Sequence, residues 1–157
     1  MPTSLAIYLR NHEAAGQAGY DLVRRVAGSH RRQPYASDLT QLVSEVHADL
    51  RSLQDVMRRH RVRPDPRLAM ALRLGERLGR LKPNGAVLAR APLTDLIEIE
   101  GLLGAVRAKA AGWQALAAAQ DPLEAAEFET LLDRANAQAA VLVDIHRQVA
   151  AKVLDLG

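Results

Sequence analysis

Two histidines and one glutamate are the residues best placed to do chemistry. His12 falls on the heptad seam of the first predicted helix and His146 on that of the last, where an unpaired polar group is costly to bury. In an up-down-up-down bundle, at about 1.5 Å rise per residue, His12 stands roughly 12 Å from the end at which the first helix begins. Glu100 then lies at a similar height, with His146 within a turn. Two imidazoles and a carboxylate at one level suit zinc, iron or manganese. If the chain instead crosses back along the bundle between its second and third main helices, His146 moves to the opposite end and the set dissolves. The simpler expectation is one hydrogen bond for each imidazole, with no metal and no cofactor.

Other polar sets are less promising. Glu45/His47/Asp49, Glu98/Glu100 and Asp144/His146 have i,i+2 spacing, which turns side chains to different helix faces. Glu45, Asp49, Glu98 and Glu100 would form a carboxylate-only site if the second and third main helices ran parallel. A solvated flank partnered by Arg107 or another cation is the commoner fate of such acids. The chain has no cysteine, which removes disulfides, thiolate zinc sites, iron–sulfur clusters and cysteine nucleophiles together. There is no G-x-S-x-G elbow and no phosphate-binding glycine loop. Trp113 continues a helix seam and reads as a core anchor. No residue is assigned a catalytic role, and an enzyme is not expected.

The overall charge of +3 is unevenly distributed. Residues 58–90 hold ten Arg or Lys against Asp65 and Glu76, a local +8, and the remainder of the chain carries −5. Such segregation suits an anionic partner. The segment lacks interleaved aromatics and any DNA-reading motif, so nucleic acid is not the expected ligand. Ordinary surface charge explains it more simply.

These residues are positioned by helices. Aromatics are only 3% of the 157 residues, so the core is built from Leu, Val, Ile and Ala, a mixture suited to helix-on-helix packing. The first helix is expected over Ser4 to Ala27, with seam residues Leu5, Leu9, His12, Gly16, Gly19, Val23 and Val26 and Gly28 at its end. The second is capped by Ser37 or Asp38, carries Leu39, Val43, Val46, Leu50, Leu53 and Met57, and stops before Pro64 and Pro66. A shorter amphipathic helix occupies 67–82, closed by the turn residues KPNG at 82–85. The third main helix starts at Pro92 with the seam Leu96, Ile99, Leu103, Val106, Ala110, Trp113 and Ala117. Asp121-Pro122-Leu123-Glu124 opens the fourth, whose seam runs from Phe128 through Ala135 and Leu142 to Val153. Glycines at 16, 19, 75, 79, 101 and 104 point to close approach of neighbouring helices or side chains.

The expected architecture is one all-α domain over residues 1–157. It is an antiparallel four-helix bundle in ferritin-like order, with a long crossover between helices 2 and 3 that contains a short extra helix. The segments YLRNHEAAGQAG, GERLGRLKPNG, APLTDLIEIEGLLG and Lys109 to Trp113 resemble an uncharacterised family of small bacterial helical proteins, itself distantly similar to the ferritin-like bundles. The similarity runs roughly from Tyr8 to Trp113; it implies the fold and no reaction. Ferritin-like di-iron proteins carry a Glu-x-x-His on each of two helices, and this sequence has none.

Three roles are compatible with this pattern. The first is a non-catalytic module that binds a second copy of itself, as a homodimer, or another protein through helix faces. A metal-binding, ferritin-like protein in stress or redox handling comes second, and a binder of anionic partners through residues 58–90 third. The N-terminal segment lacks a basic, then apolar, leader pattern, and no run approaches the roughly 18–20 apolar residues that span a bilayer, so a cytoplasmic location is expected.

Overall fold

The computed structural model describes residues 2–71, 92–119 and 121–154. These residues are helical apart from caps, turns and short joins, and no strand occurs among them. The expected helix core at 72–82, the Gly75/Gly79 pair, the KPNG stop and the basic residues Arg73, Arg77, Arg80, Lys82 and Arg90 lie outside the described residues. The chain divides into two compact units, Met1–Ala89 and Arg90–Gly157.

The first unit is built on α1 (Ser4–Ser29) and α2 (Ala36–Arg59), which pack on each other. Thr3 caps α1, its Oγ1 accepting from the Ala6 amide at 3.2 Å. Leu9, Val23 and Val26 of the seam are buried, and so are Ala6, Glu13 and Ala14 beside it. The helix runs past Gly28 to Ser29 and ends where the His30 amide donates to Val26 O at 2.9 Å. Ser37 and Asp38, expected as caps, lie inside the first turn of α2, which has no side-chain cap. Its start is fixed by the turn instead. The buried His30 and Tyr35 share a hydrogen bond at 2.9 Å, and the Ala36 amide donates to Gln33 O at 3.1 Å. Cross-helix partners such as Glu13 with Gln54 and Tyr20 with His47 show that the two helices run antiparallel.

At the far end of α2 the break precedes Pro64. Arg61 takes φ 55°, the Val62 amide donates to Met57 O at 2.8 Å and the Arg61 amide to Arg58 O at 3.0 Å. This is the left-handed closure that usually employs glycine. Pro66 then opens a helix rather than only blocking one. Asp65 Oδ1 accepts from the Arg67 amide at 3.0 Å, with Pro66 as the first residue of α3, described over 66–71.

The second unit consists of α4 (Pro92–Ala119) and α5 (Pro122–Val153), which pack on each other. Asp121 caps α5 as its sequence suggests, Oδ1 accepting from the Glu124 amide at 3.2 Å. Leu96, Ile99, Leu103, Val106, Ala110 and Trp113 are buried on α4, facing a core with Phe128, Ala135, Leu142 and Val149 of α5. Trp113 stacks on Phe128 with ring centroids 6.0 Å apart and planes 17° from parallel. Burying a side chain the size of Phe128 stabilises the unit by about 1.5–3 kcal/mol. Trp113 with Phe128, Lys109 with Gln138 and Glu100 with His146 run up one helix as they run down the other, an antiparallel hairpin.

Candidate interaction surface

Glu100 and His146 are brought together within the second unit. His146 Nε2 and Glu100 Oε1 lie 3.1 Å apart, joining α5 to α4. The pair is partly solvated, Glu100 being 54% and His146 31% exposed, so it contributes under about 1 kcal/mol. His12 belongs to the first unit. Its ring leans on Tyr8, one turn earlier, at 4.4 Å, and burial lowers its pKa below the usual histidine value. A zinc site requires about four donors. Within neither unit taken alone do three histidine or carboxylate groups converge, among the described residues.

The remaining polar candidates are held in other ways. Glu45 accepts from Gln41 at 2.7 Å on the exposed side of α2, and Asp49 is buried. Asp144 binds Arg147 at 3.3 Å, one turn along α5. In the basic segment, Arg58, Arg59, Arg61, Arg63 and Arg67 are exposed, and Arg58 is paired with Asp55. Arg10 donates to Arg63 O at 3.0 Å, tying α1 to the stretch after α2.

Two cross-helix groupings in the first unit carry no sequence signal, because their members are far apart in the chain. Buried Glu13 accepts through Oε1 from Gln17 at 3.1 Å and Gln54 at 3.3 Å. Tyr20 stacks on His47 at 4.8 Å, with the Arg24 guanidinium 5.6 Å from the Tyr20 ring centre.

The most distinctive surface lies on α4. Leu93, Ile97, Gly101, Gly104, Ala108, Ala111, Ala115 and Ala118 are all exposed. Their spacing is 4-4-3-4-3-4-3, which lines them along one side of the helix, away from the seam buried against α5. Leu93 is 44% and Ile97 47% exposed, sizeable fractions for large apolar side chains. One edge of the stripe carries Glu100, Arg107 and Gln114 at heptad intervals, and from Ala110 to Ala119 the helix has no charge.

The contrast with α2 shows how unusual this is. The exposed positions Asp38, Gln41, Ser44, His47, Arg51, Asp55 and Arg58 give α2 the polar outer face of an ordinary amphipathic helix. A helix apolar on both sides is normally enclosed on both. The stripe was legible in the sequence as a second heptad register beside the one assigned to the core.

No helix among the described residues is long and apolar enough to cross a membrane. No protein-family model matches the chain, and no curated protein matches it.

Proposed function

We propose that this protein is a non-catalytic helix–helix interaction module that works through the outer face of α4. One observation carries the reading: eight successive heptad positions on an exposed helix face, none of them polar. Water around Leu93 and Ile97 is released when another helix covers them, at roughly 25 cal/mol for each Å² of apolar surface removed. Glycine and alanine along the rest of the stripe let that helix approach closely. The edge residues Glu100, Arg107 and Gln114 are arranged like the flanking positions of a coiled-coil seam, which set partner and orientation.

The test is site-specific photo-crosslinking in the cells that make the protein. A benzophenone side chain replaces Ala108 on the stripe or, as a control, Ser44 on the exposed side of α2. Adducts of any mass should form from position 108 and disappear when Ala111→Asp is added. Equal yields from positions 108 and 44, or no adduct from 108, would refute the reading.

A further inference from the structure

We infer that the occupant of this face is the α4 helix of a second copy, packed antiparallel with the two-fold axis passing beside Gly104. The inference rests on the reading of the face as an interaction surface and adds the partner and its orientation.

Side-chain size is the first argument. The stripe is bulky at its N-terminal end, with Leu93 and Ile97, and small at its C-terminal end, with Ala111 and Ala115. Antiparallel pairing about Gly104 sets Leu93 opposite Ala115 and Ile97 opposite Ala111 of the second copy, so large meets small at both ends, with glycine and alanine meeting at the centre. Parallel pairing sets leucine on leucine at one end and leaves a gap between alanines at the other, losing dispersion contacts there.

Charge gives the same answer. Glu100 and Arg107 stand seven residues apart on one edge, on either side of Gly104, and both are exposed. Antiparallel pairing brings Glu100 against Arg107 of the second copy, and the two-fold repeats the contact in reverse. Parallel pairing puts the copies of this edge on opposite sides of the seam, so Glu100 and Arg107 of the two chains do not meet. Arg107 has no hydrogen bond or ion pair within its own chain among the described residues. Glu100 uses Oε1 for His146, and a carboxylate has capacity for further donors.

Gly104 is the third argument. A β-carbon built there meets nothing within 4 Å, so packing within the chain does not require glycine. In a helix interior it costs about 1 kcal/mol relative to alanine. At a two-fold crossing the missing side chain lets two backbones come together, which gives the glycine a purpose.

The stripe from Leu93 to Ala118 is about 38 Å long at 1.5 Å per residue, one helix wide. Only Leu93 and Ile97 on it are bulky, so covering it removes little apolar side-chain surface from water. The dimer is therefore weak and concentration-dependent.

Engineered cysteines give the orientation directly, since the chain has none of its own. Ile97→Cys and Ala111→Cys proteins, one bearing a size tag, are oxidised separately and mixed, with Ser44→Cys as a background control. The mixture should form the 97–111 disulfide well above background, while each protein alone remains largely uncrosslinked. Self-crosslinking of Ile97→Cys would overturn the antiparallel orientation, and crosslinking no faster than the control would overturn self-pairing. Sedimentation equilibrium supplies a second readout. Glu100→Arg and Arg107→Glu should each weaken the dimer by roughly 3- to 10-fold, and mixing the two should restore it as a heterodimer. Circular dichroism and the fluorescence of Trp113 verify that each variant is folded. A wild-type protein that stays monomeric while position 108 still crosslinks in cells would refute self-pairing and leave the interaction surface standing. Loss of both signals would remove both.

Discussion

Leu50 Cδ1 stands 3.1 Å from the point that a β-carbon on Gly16 would occupy, so α2 closes on α1 at that glycine. Three residues on, a β-carbon on Gly19 would meet nothing within 4 Å. Alanine is favoured over glycine in a helix by about 0.5–1 kcal/mol, partly through the entropy of the unfolded chain. Gly19→Ala should therefore stabilise the protein by that amount. Gly16→Ala should gain distinctly less or turn destabilising, because Leu50 must yield. Urea unfolding of both variants, followed by circular dichroism, checks the order; equal gains would mean that the Leu50 contact is inconsequential.

Gly104→Ala separates the two roles of an exposed glycine. With open space around it, the substitution should raise the unfolding free energy of the isolated monomer by about 0.5–1 kcal/mol. The same methyl group should weaken self-association if two copies of α4 cross there. Dilute thermal melts measure the first effect and sedimentation equilibrium the second. Stabilisation without any change in association would exclude Gly104 from the contact.

Arg61 closes α2 in the left-handed region at φ 55°, where a side chain is strained and glycine is not. Arg61→Gly should raise stability by roughly 1 kcal/mol, provided that the two closing bonds from Arg61 and Val62 persist. The midpoint of urea unfolding reports it. A fall in midpoint would show that the arginine side chain contributes more than its backbone conformation costs.

Much of the helical pattern was legible because apolar spacing and capping chemistry are local. The α4 seam from Leu96 to Trp113 is buried as its spacing implied, and Asp121-Pro122 starts α5. The start of α2 departs from the local capping signal because a buried contact, His30 with Tyr35, overrides the preference of Ser37 and Asp38. The glycines look alike in the sequence, yet among Gly16, Gly19 and Gly104 only Gly16 has an intramolecular cause, the contact with Leu50. Of the three candidate ligands, Glu100 and His146 meet across one hairpin, and His12 lies in the other unit. Sequence spacing sets height along a helix and says little about which helices face each other. The outer stripe of α4 is harder to see in the sequence because its register runs beside a stronger seam of larger side chains, Leu96 to Trp113.

Glu13 is buried and its Oε1 collects two amide donors, Gln17 along α1 and Gln54 from α2. Removing the carboxylate takes away both hydrogen bonds to the half-buried amides, each worth about 0.5–1.5 kcal/mol, together with the packing of a buried side chain. Glu13→Ala should be clearly destabilising. Gln54→Ala should cost less, because Gln17 still serves Glu13. The double variant should fall short of the sum of the single effects by roughly 0.5–1.5 kcal/mol. Strict additivity in urea unfolding would show that Glu13 and Gln54 are not coupled.

The sign of one pH effect follows from His12. Burial disfavours its charged form, so its folded-state pKa lies below the unfolded value near 6.5. Well above pH 6.5 the imidazole is neutral in both states and contributes no pH dependence. As pH falls through about 6.5 the unfolded chain takes up the proton first, and the folded state loses relative stability until its own, lower pKa is reached. The wild type should therefore lose stability on acidification from about pH 7.5 towards pH 5.5 more steeply than His12→Gln, which has no proton to gain there. Urea midpoints of the two proteins across that range measure the difference. Parallel profiles would show that the ring is solvated in the folded state, and a shallower wild-type profile would mean that the folded chain stabilises the imidazolium.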